Sequence, residues 1–422
     1  IMIVNKILNI AKGLENPKHP LLGPNLHGLY MFGLLQNGNE IRNFLFNIFH
    51  AMSFVFVLTQ FYALYRMKSD LIQVILNFSL TAVSLVSISK NFRTIFYQSQ
   101  WNELFNRISE EELLALRIGD KNVTKFMKDY TIYSRIVTYL YWSTAVVTYF
   151  VLLVSPFMKY ATESDYRERV HNGTEPYPQI LCSWFPFDNT KIPGYIYGVI
   201  CHIIVTTQGA GVIAVFDMNA VAIMAFLKGQ MLILRYKSEG IFGTTTLLHR
   251  EEILSNIKEC YRLHSFITEQ YSTLNSLLSP VMCLYVLICS IMICCSIVQL
   301  GMDELQITQK ILILEYTVAL VVQLFIYCWH SNELAIHSGT ADRAVYCSNW
   351  WAGDVKTRKL LLLLAGKMSK PLIFNAGPFT MLSVATFIEV NYDIWIENSY
   401  NFHLKVQFPT GILVQSPNLT SN

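Results

Sequence analysis

Apolar residues in this chain gather into long unbroken runs separated by polar stretches, a pattern unlike the period-two alternation of strands. A bilayer core about 30 Å thick requires roughly 20 residues of helix at 1.5 Å rise per residue. Five runs free of Asp, Glu, Lys and Arg meet that length: 43–64, 71–89, 136–157, 195–216 and 276–300. A sixth, 311–330, carries Glu315 in its first turn and is otherwise apolar through LVVQLFIYCW. A seventh, 378–404, is long enough but contains Glu389, Asp393 and Glu397. The pattern predicts an all-α integral membrane protein with seven transmembrane helices.

Basic residues in membrane proteins concentrate on the cytoplasmic side. If the N-terminus lies inside, the segments before residue 43 and at 90–135, 217–275 and 331–377 are cytoplasmic and hold 24 of the 32 Lys and Arg residues. This predicts an inverted topology, N-terminus in and C-terminus out, opposite to that of G-protein-coupled receptors. The sequons at Asn172 and Asn418 then face outward and are candidate glycosylation sites, whereas Asn122 lies inside. The expected organisation is a cytoplasmic segment 1–42, six membrane helices over 43–330, a cytoplasmic anchor region 331–377, a seventh helix 378–404 and an extracellular tail 405–422.

Composition agrees: 53% of residues are hydrophobic, only 14% are charged and mean hydropathy is +0.36, which rules out a soluble chain. A net charge of +3 with scattered basic residues argues against nucleic acid as a partner, leaving lipid as the surrounding medium. The nine cysteines fall mostly inside apolar runs with no CxxC pair, so neither a disulfide framework, a metal nor a cofactor is expected. The first twenty residues carry one apolar stretch interrupted by Lys6 and Lys12 and no small-residue cleavage site, so no cleaved signal peptide is expected.

Two cytoplasmic segments read as amphipathic helices. In 101–118, Trp101, Leu104, Phe105 and Ile108 share a face; in 250–271, Ile253, Ile257, Tyr261 and His264 do, and the latter helix continues into the fifth span. Spans two to five are therefore expected to overhang the membrane on the inner side. A short apolar helix at 359–365, ended by Gly366, is a candidate central element where subunits meet.

Ionisable groups inside a span cost about 2.5–3.5 kcal/mol each on insertion scales and usually face water, protein or an ion path. Glu389, Asp393, Glu397, Tyr400 and Leu404 are spaced to share one helical face, which suits a pore for permeant cations. One such stripe per chain cannot enclose a pore, so an oligomer is implied.

Several motifs together resemble insect odorant receptors: PYPQILCSWFPFDNT before the fourth span, Asp217 at its inner end, LLSPVMCLYVLICS in the fifth, YCWHSNEL and VYCSNWW after the sixth, and KPLIFNAGPFTMLSVATF entering the seventh. The resemblance covers the chain from about residue 20 to 404. It implies a ligand-gated cation channel, a heterotetramer in which an odour-tuning subunit joins olfactory co-receptor subunits in the plasma membrane of a sensory-neuron dendrite. This chain resembles the tuning subunit, because it lacks the co-receptor's long cytoplasmic insertion. Carrying the family's gate over without gaps from Phe387 puts it at Tyr400, His403 and Leu404. The acids at 389, 393 and 397 and the eighteen residues beyond Leu404 depart from the family pattern.

The resemblance also implies a mostly apolar pocket for a small volatile odorant in the outer half of the bundle. The third span offers Trp142, Ala145, Val146 and Tyr149 on one face; the second offers Phe78 and Thr81, the fourth His202, Ile203 and Thr206, and the sixth Tyr316. Trp184, Phe185 and Phe187 in the outer loop are either a lid or interfacial anchors. Three rival readings remain. A secondary transporter requires internal repeats, which the chain lacks; a membrane enzyme requires a convergent catalytic set, also lacking; a gustatory receptor-like channel subunit would end its seventh span in a TYxxxxxQF-like motif, absent here.

Overall fold

The computed structural model describes residues 13–36, 38–68, 71–243, 248–301, 307–378 and 380–389. The chain folds into helices α1 (Gly23–Met31), α2 (Glu40–Arg66), α3 (Leu71–Phe96), α4 (Gln98–Ile118), α5 (Lys121–Thr162), α6 (Ser164–His171), α7 (Gly194–Glu239), α8 (Arg250–Leu300), α9 (Ile307–Gly339), α10 (Arg343–Tyr346) and α11 (Val355–Met368). A two-stranded antiparallel hairpin, β1 (Asn375–Ala376) and β2 (Thr380–Met381), follows, and a further helix is under way at 384–389. Helices α2, α5, α7, α8 and the one continuing from residue 310 are each long and apolar enough to cross a bilayer. α3 adds a charge-free stretch at 71–89.

Helices α5, α7 and α8 contain 42, 46 and 51 residues. At 1.5 Å per residue these are roughly 60–75 Å long, about twice the bilayer core. The excess lies at the end that the basic residues assign to the cytoplasm, as expected. Side-chain caps set several starts: Asn39 accepts from the Arg42 N–H at the head of α2, His249 and Glu252 form a reciprocal box on α8, and Asp354 accepts from Thr357 at the head of α11.

α7 is the hub of the bundle, packed on α1, α3, α5, α8, α9 and α10. From Val212 to Leu234 it is buried on nearly every side, apolar residues being present on all its faces beside the buried Asp217, Asn219 and Gln230. Gly229 makes this possible against α5, since a Cβ there would stand 2.3 Å from the Tyr130 ring. In α8, Pro280 lacks an N–H and so leaves the Ser276 carbonyl without its helical donor. Arg93 of α3 supplies the replacement, donating to Ser276 O at 2.5 Å and Leu277 O at 3.0 Å.

At the inner end, the N-terminal segment is strapped across α4 and α5. Leu21 and Leu22 are fully buried, and Arg135 donates to the carbonyls of Pro20 and Leu21 while pairing with Glu15. Glu112 of α4 accepts from the Leu21 N–H (3.2 Å) and the Tyr130 hydroxyl (2.8 Å). Burial pushes its carboxyl up to about 7, against the opposing pull of those donors and Arg135.

The amphipathic helix expected at 101–118 is α4, with Trp101, Leu104, Phe105 and Ile108 buried. In α8 the stripe differs at one position. Ile253, Ile257 and His264 are buried, but Tyr261 is exposed beneath Lys367, and Cys260 and Leu263 take the inward places. A 3.6-residue period places 260 and 264, rather than 261, below 253 and 257. The short anchor helix begins earlier than expected, at Val355. Pro378, Thr380 and Met381 belong to the hairpin instead of a helix. Gly377 makes its turn with φ +72°, and a Cβ there would stand 2.6 Å from Cys283 Sγ.

Candidate ligand site and the polar hub beneath it

The lipid-facing stripe of α9 is visible in its exposed residues Leu314, Val318, Val322, Phe325 and Trp329. On the opposite face, Gln323, Leu324 and Tyr327 are buried in the inner half, but Leu312, Tyr316, Ala319 and Leu320 in the outer half are only half-buried. The same face also carries Ile313, which is buried. Four polar groups meet at its edge. The Tyr316 hydroxyl lies 3.1 Å from Ser296 Oγ, 3.1 Å from Gln299 Oε1 and 3.5 Å from Ser79 Oγ, joining α9, α8 and α3.

The outer loop closes over another part of the bundle. His202 of α7 is buried, with Nε2 at 2.8 Å from Ser183 Oγ and its ring between those of Phe56 and Phe185. Phe185 stacks on Phe187, and Trp184 sits edge-on to Tyr62 with its backbone N–H donating to the Thr59 carbonyl. Of the two roles considered for these aromatics, Phe185 packs inward as a lid would, whereas Trp184 and Phe187 stay largely exposed.

Phe78 and Tyr316 each pack against the main core, Tyr316 reaches α3 through Ser79, and Thr81 is buried with its hydroxyl donating to Asn77 O. Trp142 donates from its indole to Ala214 O at 3.3 Å, and Ala145 packs beside Tyr141, Met218 and Val221 on the α5–α7 seam. Tyr149 meets Thr207 hydroxyl to hydroxyl at 2.7 Å, and Thr206 donates to His202 O. Val146 (52% exposed) and Ile203 (38%) face outward. Asn172 is exposed at the end of α6. Glu389 is exposed on the last described turn, while Asp393, Glu397, Tyr400, His403, Leu404 and Asn418 lie outside the described residues.

Roughly 16 Å inward along α9 from Tyr316, at 1.5 Å per residue, sits a second polar cluster. Asp217 of α7 accepts four hydrogen bonds: Lys90 Nζ (2.5 Å) and the Tyr327 hydroxyl (2.7 Å) on Oδ1, the Tyr141 hydroxyl (2.9 Å) and Gln323 Nε2 (2.5 Å) on Oδ2. The Lys90 and Asp217 side chains are 0% exposed. Lys90 also lies 5.7 Å and 5.1 Å from the ring centroids of Phe216 and Tyr285. Four helices, α3, α5, α7 and α9, thus meet on one carboxylate, with α8 contributing an aromatic wall.

Sequence reasoning marked Asp217 but missed its partners. Lys90 ends an apolar run and reads as a loop cation. Gln323 and Tyr327 carried a usable signal, two polar groups four apart on one face of an apolar helix. Ser183, Ser296 and Gln299 carried none, since each finds its partner only through tertiary contact.

Comparison with known proteins places this architecture. A family model described as 7tm Odorant receptor matches residues 70–391. Among curated relatives, Odorant receptor Or2 of Anopheles gambiae is 27% identical over 143 residues, 33% of this chain and 38% of that protein. Odorant receptor 82a of Drosophila melanogaster is 25% identical over 211 residues, 49% of this chain and 52% of that protein. The match therefore spans about half or less of these relatives' length. The olfactory receptor OR5 from Machilis hrabei, solved in complex with eugenol, superposes with a TM-score of 0.77 at 13% identity, over 90% of this chain and 98% of that one. The likeness extends to the whole fold, and with a family model covering most of the sequence, this chain belongs to the seven-transmembrane odorant receptor family.

Proposed function

We propose that this chain is the odour-tuning subunit of a ligand-gated, non-selective cation channel, assembled with olfactory co-receptor subunits as a heterotetramer in the plasma membrane. The observation that carries the reading is the family match over residues 70–391, together with the eugenol-bound relative of the same fold. On this reading the ligand binds within the outer bundle, near Phe78, Thr81 and Tyr316, with Trp142, Ala145, Tyr149, His202 and Thr206 on neighbouring helices. A small volatile needs little more than apolar walls and one or two orienting hydrogen bonds.

Assembly is supported at the inner end. α11 buries Thr357, Leu361, Leu364, Ala365 and Met368, yet presents Leu362 (66% exposed) and Leu363 (69%) on its other side. In the cytoplasm no lipid covers such a face, so it is closed by other subunits. The seventh helix then lines the pore with Glu389, Asp393 and Glu397 and narrows at Tyr400, His403 and Leu404. On this reading Asp393→Asn lowers divalent permeation, and unchanged permeation and block would argue against pore lining.

The test is odorant-evoked current in cells expressing the chain alone and with an insect olfactory co-receptor, across esters, alcohols, terpenes and aromatics. Cation current only on co-expression is the expected result. Current from the chain alone would refute the tuning-subunit role, and silence in both with surface expression verified would count against the receptor reading.

A further inference from the structure

Building on the channel reading, we propose that Arg93 is a positioning residue for gating: through the proline break in α8 it ties α3 to the hairpin from which the seventh helix departs. A helix engages its interior carbonyls with its own N–H groups, and a proline opens one place where it cannot. At that place in α8 the donors come from another helix. Arg93 Nη2 reaches Ser276 O at 2.5 Å and Nε reaches Leu277 O at 3.0 Å, two bonds from one planar guanidinium. Tyr97, one turn further along α3, stacks its ring with the centroid 3.7 Å from Arg93 Cζ, so the fork is steadied from its own helix.

The same stretch of α8 holds the hairpin. Asn275 Oδ1 accepts from the Asn375 N–H at 2.9 Å, and the Gly377 N–H is shared between Ser279 O at 3.1 Å and Ser279 Oγ at 3.0 Å. Gly377 lies so close to Cys283 that no Cβ fits between them. Residues 275–283 are therefore gripped by Arg93 and by the hairpin, with Pro280 among them. Beyond the hairpin, Phe387 of the next helix packs its ring 5.4 Å from that of Phe325 on α9. Toward its outer end α3 carries Phe78 and Thr81, beside the proposed ligand site, and Ser79, which the Tyr316 hydroxyl of α9 reaches at 3.5 Å. A helix short of one of its own hydrogen bonds bends readily there. A shift of α3 then draws the 276–277 carbonyls with it and re-aims the segment that holds Gly377, so ligand and pore bias one shared element.

The experiment uses the full chain co-expressed with a co-receptor, and as probe the ester, alcohol, terpene or aromatic that evokes the largest current from the native complex. Arg93→Met is expected to raise its half-maximal concentration about tenfold. The probe should still raise the melting temperature of the purified variant complex as it does the native one, a split between binding and gating that misfolding does not produce. Arg93→Lys keeps the charge but not the fork and should fall between the two. Pro280→Ala returns a backbone donor to Ser276 O, and in that background Arg93→Met should shift the response by less than about threefold. Ser279→Ala is expected to give a smaller loss that is non-additive with Arg93→Met, which decides the matter even where Pro280→Ala is silent. A native-like response from Arg93→Met would overturn the proposal. So would a loss equal in the native and Pro280→Ala backgrounds, strict additivity with Ser279→Ala, or disappearance of probe binding together with current. Those outcomes leave native gating intact. Failure of every compound to gate the native complex, with surface expression verified, would instead remove the channel reading and this inference with it.

Discussion

Replacing Lys90 by Met tests the hub at Asp217 directly. Met matches the length of the lysine stem and keeps the contacts with Phe216 and Tyr285, but it removes the cation hydrogen-bonded to a carboxylate that is 0% exposed. Three neutral or weakly polar donors, Tyr141, Tyr327 and Gln323, remain on Asp217. Breaking one partner of a buried ion pair costs about 3–5 kcal/mol, because the surviving charge is left uncompensated. At roughly 2 °C per kcal/mol for a large chain, thermal unfolding in detergent should fall by about 6–10 °C. Asp217→Asn should cost a similar amount by stranding the ammonium. Combining the two should recover much of the loss, since no net charge is then buried, whereas Tyr327→Phe should cost about 1.5–3 kcal/mol as one hydrogen bond to a charged group. Melting curves of the fluorescently tagged chain by size-exclusion chromatography provide the measurement. A melting point for Lys90→Met within about 2 °C of the native value, or strict additivity in the double variant, would refute the pairing as a source of stability.

Other consequences are equally open to measurement. Glu112 has a folded-state carboxyl raised to about 7 from an ordinary 4.5, so its contribution is full below pH 4.5 and is lost as pH rises through 7, on the order of 3 kcal/mol in all; Glu112→Gln should flatten the melting profile between pH 4.5 and 7, and an equally pH-dependent variant would contradict the assignment. Gly229→Ala forces a Cβ onto the Tyr130 ring and should destabilise the α5–α7 contact by about 1–3 kcal/mol, with Tyr130→Leu in the same chain relieving part of it. Leu362→Glu with Leu363→Glu should leave monomer melting nearly unchanged yet shift the assembly to smaller species by light scattering, and intact tetramers would place the interface elsewhere.

The spans were legible because burial in lipid imposes one rule on every residue of a long run, and the overhang of α8 followed from the amphipathic stripe at 250–271 that leads into it. Tyr261 shows where such reading slips: a four-residue step taken twice in succession drifts around the helix, so Cys260 rather than Tyr261 turns inward. The hairpin at 375–381 was hidden because its reason is tertiary, with Gly377 donating to Ser279 on α8. Within the site, Tyr316 and His202 were identifiable as polar side chains in apolar helices. Gln299 and Ser183 were not, because the loop and helix that meet them are distant in sequence.

The hub also bears on how the chain is made. Lys90 leaves the ribosome 127 residues before Asp217, so α3 enters the membrane while its ammonium has no counter-charge and must hold that group near the headgroups. Only when α7 is inserted can α3 settle to its final depth, and Gln323 and Tyr327 arrive later still to complete the carboxylate's shell. A chain halted before α9 therefore carries Asp217 without two of its four donors.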